Sequence, residues 1–82
     1  MSVHPNPLQE ARLTLDYNTK NSGEVQLEII DMHGRYIQNN MINVERGENA
    51  ISIDLPSLAP GVYMLRTYQG GENQIVRFVK TR

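Results

Sequence analysis

The sequence contains no cysteine and no tryptophan among its 82 residues. Without cysteine, the chain has neither a disulfide to stabilise it nor thiolate ligands for a metal site. Its stability must therefore come from a hydrophobic core, and a domain of this length buries only about 60–65% of the surface that its unfolded chain exposes.

Strong charge and long apolar segments are also missing. The formal net charge is −1, so no overall basic field would attract nucleic acid or anionic lipid. No apolar stretch approaches the roughly 18–20 residues that cross a bilayer. The first residues, Met1 to Pro5, also lack the basic and apolar regions of a secretory signal. We therefore expect no nucleic-acid partner and no membrane insertion. Met1 is either the native start of the protein or the start of a piece cut from a longer one.

Catalytic and metal-binding motifs are absent as well. The only histidines, His4 and His33, have no second ligand at a spacing typical of zinc sites. Asp31 lies in no calcium-loop pattern, and no serine lies in a nucleophile elbow. The acidic residues alternate along predicted strands, which is typical of a solvated face rather than a catalytic cleft. We expect no enzymatic activity, no catalytic or metal-binding residue and no cofactor.

What the sequence does contain is a strict alternation of apolar and polar residues, which predicts half-buried strands. Gly- and Pro-containing turns separate these strands at intervals of about 8–12 residues, and this spacing is typical of a β-sandwich or a β-barrel. A bulge is predicted at Asn39-Asn40 and a turn over 45–49. A short first strand near Val3-His4 would bring the count from six strands to seven, and Pro5 and Pro7 confine it to a sheet edge. The six main strands are predicted at 11–17, 24–29, 35–44, 51–55, 62–68 and 73–80.

Two turns carry the clearest local signals. Asp31 precedes a turn in which Gly34 takes a positive φ, and Arg35 is placed to pair with the Asp31 carboxylate. Further along, Pro60 and Gly61 form a corner before Tyr63, the position at which Ig-like sandwiches have a tyrosine corner. The tyrosine-corner pattern favours an Ig-like or fibronectin-like antiparallel β-sandwich of six to seven strands over a barrel.

The C-terminal hairpin is apolar on both faces, which is unusual for an antiparallel pair with one face in solvent. Either another element packs over the outward set, or that set forms an adhesive surface. The strands that follow Gly61 also carry four basic residues against Glu72 alone, and this basic end is a candidate recognition feature. We predict that Tyr63, Leu65, Val76 and Phe78 face the core and that Val62, Met64, Ile75 and Val79 face outward.

Four segments stand out when they are read in order along the chain. They are His4–Pro7 followed by Leu13–Leu15; Ile29–Arg35; Leu58–Tyr63; and Val76–Lys80. In this order and spacing they resemble the C-terminal sorting domain of the type IX (Por) secretion system of Bacteroidota, in its type A form. The resemblance extends from about His4 to Arg82.

The resemblance implies a non-catalytic secretion signal at the end of a larger secreted protein. Its partners would be the cargo on its amino-terminal side, the outer-membrane secretion machinery and a sortase. The sortase would remove the domain and join the cargo to a surface lipopolysaccharide, so that the cargo reaches the cell surface or the medium through the periplasm. The residues that it assigns to sorting are Pro5, Asn6 and Pro7 at the opening; Asp31, Gly34 and Arg35 in the turn; Gly61 and Tyr63 in the corner; and Val79, Lys80 and Arg82 in the terminal signal.

A second reading of the sequence is an accessory Ig-like or fibronectin-like module of a secreted hydrolase, which acts as a spacer or binds carbohydrate. This reading depends on exposed aromatic rings, because sugars stack on them, and Tyr36 and Tyr68 are the candidates. The packing of both rings at strand edges is the simpler expectation for them.

Overall fold

Antiparallel strands form two sheets that pack face to face. The computed structural model describes all 82 residues and contains seven strands and no helix. The strands are β1 Ser2–His4, β2 Arg12–Thr19, β3 Gly23–Asp31, β4 Tyr36–Val44, β5 Gly47–Asp54, β6 Gly61–Gln69 and β7 Glu72–Lys80.

The strand order is β1-β2-β5 in one sheet, here called the small sheet, and β4-β3-β6-β7 in the other, the large sheet. All of the strand pairs are antiparallel. The fourth strand pairs with β3 and not with β5, which differs from the constant-type immunoglobulin arrangement. The prediction of an all-β sandwich is confirmed, and β1 lies at a sheet edge as expected.

The core lies between the two sheets and is made by alternate residues of nearly every strand. The alternation places every second side chain on the inner face, so that Leu13 and Leu15 of β2 meet Leu27 and Ile29 of β3. The predicted inward set of the C-terminal hairpin is confirmed: Tyr63, Leu65 and Phe78 are buried, and Val76 packs against the core while partly exposed. The buried cluster is completed by Val3, Leu8, Tyr17, Val25, Val44, Ile53 and Leu55.

The predicted bulge at Asn39-Asn40 is wrong. The register shifts nearer the turn, where Ile30 pairs with Tyr36 and Ile29 pairs with Gln38, so the extra residue lies between those two β4 positions. Asn39 and Asn40 continue the ladder without interruption. Asn39 Oδ1 accepts from the Gln26 amide of β3 at 3.4 Å, and Asn40 Oδ1 accepts from the Gln38 amide, two residues earlier in β4, at 2.7 Å. Amide side chains that find partners in this way do not require a bend.

The predicted turn over 45–49 is shorter than expected, because β5 already begins at Gly47. Asn49 is of a type that is common in turns, but it lies within β5 and contacts the turn through its side chain. Its side-chain amide donates to the carbonyl oxygens of Glu45, Gly47 and Tyr17 at 2.8, 3.2 and 3.3 Å, and its Oδ1 accepts from the Glu45 N–H at 2.9 Å. The side chain of Asn49 therefore stabilises the turn, although Asn49 itself belongs to β5.

The tyrosine corner is confirmed. Tyr63 is buried, its hydroxyl donates to the carbonyl oxygen of Ala59 at 2.6 Å, and its ring stacks on Phe78 at a centroid distance of 5.7 Å. Gly61 has a φ of 159°, which is near fully extended backbone, so the corner depends more on Tyr63 than on left-handed geometry at this glycine.

The segment after β1 crosses from the small sheet to the free edge of the large sheet. Leu8 is fully buried, its N–H donates to the Val79 carbonyl at 2.7 Å, and its carbonyl accepts from the Thr81 N–H at 2.8 Å. The side chain of Asn6 extends this contact, because Oδ1 accepts from the Val79 N–H at 3.1 Å and Nδ2 donates to the Arg77 carbonyl at 3.4 Å. The first and last parts of the chain are therefore joined along the outer edge of β7.

Candidate recognition surface

The four sorting segments suggested by the sequence meet at one end of the sandwich. Asp31, at the end of β3, pairs with Tyr63 near the start of β6. Gly61 pairs with Lys80 at the end of β7, and Asn6 binds the adjoining edge. We call this region the motif end; it comprises residues 5–7, 31–35, 61–63 and 79–82.

The Asp31 turn at the motif end is satisfied within itself. Asp31 Oδ1 accepts from the backbone N–H groups of His33 and Arg35, each at 2.9 Å, and Oδ2 accepts from Arg35 Nε at 2.7 Å. These bonds, above all the one from the Arg35 backbone N–H, lower the pKa of the Asp31 carboxyl below its ordinary value of 3.8, although burial opposes them. Gly34 has a φ of 81°, as predicted, and such a value favours glycine.

Asp31, Gly34 and Arg35 thus hold the shape of a turn, and so do Gly61 and Tyr63 at the corner. In contrast, the side chains at the end of the chain reach solvent. Val79 is 37% exposed, Arg82 is exposed, and Lys80 is half-buried with its Nζ donating to the carbonyl of Thr81 at 2.6 Å. The backbone edge beside Val79 is already occupied by Asn6 and Leu8, so the accessible groups at this point are side chains.

The outer face of the large sheet is apolar over much of its area. The prediction that Val62, Met64, Ile75 and Val79 face outward is confirmed by their pairing and exposure. The five large hydrophobic residues that are most exposed in the chain all lie on this face or in the turn that adjoins it; they are Met32, Tyr36, Met41, Ile75 and Val79.

An ion pair lies in the middle of this face, and the sequence did not predict it. Arg66 binds Glu28 at 3.0 Å and donates to the Tyr36 hydroxyl at 2.9 Å, and this bonding raises the pKa of its guanidinium above the ordinary value, although burial opposes it. The guanidinium carbon lies 5.0 Å from the ring centroid of Tyr68 and 6.0 Å from that of Tyr36. The sequence shows only that Glu28 and Arg66 occupy outward positions in apolar strands. It does not show that β3 and β6, which carry them, are neighbours.

A cleft of about 220 Å³ opens on the outer face beside the motif end. Met32, Val62 and Met64 form its apolar lining, and Asp31 and Arg77 form its polar rim. The Asp31 carboxylate already pairs with Arg35, whereas none of the ion pairs in the structure includes Arg77. The cleft therefore combines an apolar floor with one unpaired cation.

The structure groups no three histidine, aspartate or glutamate side chains in a way that could hold a metal ion. It also contains no helix with the length and hydropathy needed to cross a bilayer. A larger cleft of about 560 Å³ at the opposite end of the sandwich is polar, and it is lined mainly by the loop after β2 and by the β6–β7 turn.

Comparison with known proteins gives one clear result. A family model described as the secretion system C-terminal sorting domain matches residues 2–81. No curated protein matches the chain. The matched range includes every strand and the whole motif end except Arg82.

Proposed function

The chain belongs to the secretion system C-terminal sorting domain family, and on this premise we propose that all of it is one sorting domain whose motif end is read by the type IX machinery. The family is a secretion tag and not a catalytic domain. Membership implies export through the outer membrane, a cargo on the amino-terminal side and the secretion apparatus as partner. The observation that carries the proposal is the meeting of four separate sorting segments at one end of the fold.

The position of the amino terminus supports this orientation. Met1 packs near Thr67, with its sulfur 3.7 Å from the threonine hydroxyl, at the end of the sandwich opposite the motif end. The longest dimension of the molecule is 36 Å. A cargo joined before Ser2 would therefore leave the motif end facing away from it.

Within the motif end, we assign direct recognition to Val79, Lys80 and Arg82. Their side chains are accessible, whereas those of Asp31 and Tyr63 are engaged in the turn and the corner. The remaining sorting residues, which are Pro5, Asn6, Pro7, Gly34, Arg35 and Gly61, are proposed to hold the backbone that presents them.

We also propose that a sortase removes the domain and joins the cargo to a surface lipopolysaccharide, with cleavage on the amino-terminal side of the sandwich. Connections between strands are short, and the longest, residues 5–11, is anchored by the buried Leu8. A protease would need to unfold the domain to cut within it. Mass spectrometry of the secreted cargo tests this, and a cut within residues 12–80 would contradict it.

The main test is export of a reporter. Residues 1–82 are fused after a periplasmic reporter in a Bacteroidota host, and the reporter is assayed in the periplasm, on the cell surface and in the medium. We expect it outside the outer membrane, and we expect it in the periplasm when the fusion is made in a host without the type IX machinery. If the fusion stays in the periplasm of the competent host, the proposed function is wrong.

The terminal residues are tested by the double change Lys80→Gln and Arg82→Gln. Both side chains lie outside the core and make no ion pair, so the midpoint of thermal unfolding should not change. We expect less exported reporter, with the double change Lys20→Gln and Arg46→Gln as a matched loss of charge far from the motif end. Equal export from both pairs would remove Lys80 and Arg82 from recognition.

The accessory-module alternative predicts that the same protein binds carbohydrate through Tyr36 and Tyr68. Tyr36 is 62% exposed, but both rings flank Arg66, so part of each is already covered by the guanidinium. Glycan-array binding that is lost with Tyr36→Ala, together with a fusion that is not exported, would favour this alternative.

A further inference from the structure

We infer that the cleft between Met32, Val62 and Met64 is a docking site for a protein of the secretion apparatus, which places an apolar side chain in the cleft and a carboxylate beside Arg77. This inference rests on the proposed function and names the surface and the chemistry through which the partner would bind. It adds a contact on the outer face of the large sheet to the recognition proposed for Val79, Lys80 and Arg82.

The exposure of this surface is the first argument. Exposed apolar patches on small soluble domains commonly mark interaction sites. Met32 is 70% exposed and lines the cleft with half-buried Val62 and Met64. Ile75, which is 56% exposed, extends the apolar surface along β7 on the same face. Three of the four methionines, Met32, Met41 and Met64, belong to this face, and methionine adapts its shape to a partner more readily than branched side chains do.

The size of the cleft is the second argument. A volume of about 220 Å³ would hold roughly seven waters, since each occupies about 30 Å³ in the liquid. One large apolar side chain would displace them from an apolar floor, where they have few hydrogen-bond partners. The displacement of poorly bound water from such a floor favours binding.

Charge defines the partner further. On the half of the outer face next to the motif end, the Arg66 charge is balanced by Glu28, and Arg35 balances Asp31. Arg77 is exposed and makes no ion pair, and the one carboxylate on the rim of the cleft, Asp31, is already paired with Arg35. A complementary surface would therefore offer Arg77 a carboxylate. A second copy of this chain fits poorly, because its own cleft offers another unpaired Arg77 and no free carboxylate.

The backbone edge is a weaker site for the same partner. At the motif end, Asn6 and Leu8 already bind the outward carbonyl and N–H groups of Arg77, Val79 and Thr81. An added strand would have to displace the buried Leu8 first. Docking through side chains of the outer face requires no such rearrangement.

The first experiment uses the reporter fusion with Met32→Glu and with Arg77→Glu. Both side chains are exposed, so unfolding should be unchanged, and each acidic group would oppose the proposed carboxylate. We expect export to fall by about tenfold, as for loss of a central interface contact. Ala50→Glu, on the exposed outer face of the small sheet, is the matched control and should be exported as the unaltered fusion is.

The outcomes separate the inference from the proposed function. If the unaltered fusion is not exported, the proposed function fails and the docking site with it. If the unaltered fusion is exported and Met32→Glu and Arg77→Glu are exported equally well, only the docking site is wrong. A defect of the same size in Ala50→Glu would also overturn it.

The second experiment uses the natural absence of cysteine. Met32→Cys and, as control, Ala50→Cys are labelled with a maleimide photocrosslinker and presented to cells with and without the type IX machinery. We expect a protein adduct at position 32 alone that disappears when the machinery is deleted. A dimer of this chain, an adduct with lipid only, or an adduct that persists without the machinery would each overturn the proposal.

Discussion

The outer faces of the two sheets are built on the same alternation but differ in chemistry. On the small sheet, Arg12 pairs with Asp54 at 3.0 Å and His4 contacts Asp16 at 3.1 Å, and no large hydrophobic residue is exposed there. On the large sheet, the corresponding positions of β6 and β7 carry methionine, valine and isoleucine.

This difference distinguishes surface residues that the stability of the fold explains from surface residues that it does not explain. An antiparallel sheet with one buried face is stable when its other face is polar, as the small sheet is. The apolar residues on the outer face of the large sheet are therefore not explained by packing within this chain. We attribute them to a partner, and the predictions below vary one face at a time.

The largest effect is expected where the two sheets share their core. Phe78 is fully buried and stacks on Tyr63. Phe78→Ala should lower the free energy of unfolding by about 3–5 kcal/mol. Ile75→Thr, on the outer side of the same strand, should change it by less than about 0.5 kcal/mol. Urea unfolding measures both, and equal losses would mean that the outer face contributes to stability after all.

A smaller effect is expected from the tyrosine corner. Tyr63→Phe removes the hydrogen bond to the Ala59 carbonyl but keeps the stacked ring, and the exposed Ala59 lets water replace the lost donor. The cost should be about 1 kcal/mol. Export of the protein that remains folded should be unchanged, and a selective loss of export would assign Tyr63 to recognition.

The contrast between the faces can be inverted by substitution. Thr14 and Ser52 face each other on the outer side of the small sheet, so Thr14→Ile with Ser52→Ile would create an apolar pair there. Binding of a hydrophobic dye should rise, while unfolding changes by less than about 1 kcal/mol. Export should not improve, because the new patch lies on the wrong sheet; improved export would show that any apolar surface suffices.

The smallest expected effect is a dependence of stability on pH that comes from Asp31 at the rim of the cleft. Because the fold lowers the pKa of Asp31, its carboxylate gives stability that is present above the ordinary value of 3.8 and is lost as the pH falls through the lower folded value. Asp31→Asn lacks this contribution. The stability difference between the two proteins should be constant near neutral pH and shrink below about pH 4. If the difference in the free energy of unfolding between the two proteins stays constant down to about pH 2, this prediction is contradicted.

Features fixed by neighbouring residues could be predicted from the sequence. The alternation of β2, the Asp31 turn with Arg35 and the tyrosine corner all depend on side chains a few residues apart. Each of these features favours a particular local backbone conformation. Together they favour strands joined by tight turns, and the fold class can be predicted from that pattern.

Features that join distant strands could not be predicted in this way. The Glu28–Arg66 pair and the bonds between Asn6 and Val79 require knowledge of which strands are neighbours. The bulge lies between Tyr36 and Gln38 and not at Asn39-Asn40, because these two residues resemble turn residues yet continue the ladder, with amide partners in β3 for Asn39 and in β4 itself for Asn40. The position of the cleft depends on the same strand pairing, so the outward residues could be predicted from alternation but their grouping around the cleft could not.

The bond between the first and last parts of the chain has a consequence for the order of synthesis. Asn6 and Leu8 are made before Val79 and Thr81, which bind them across a separation of 73 residues. Until residues 79–81 have been made, Leu8 has no backbone partner and the outer edge of β7 is open. A chain that stops before residue 79 therefore lacks these bonds and cannot close the domain along this edge.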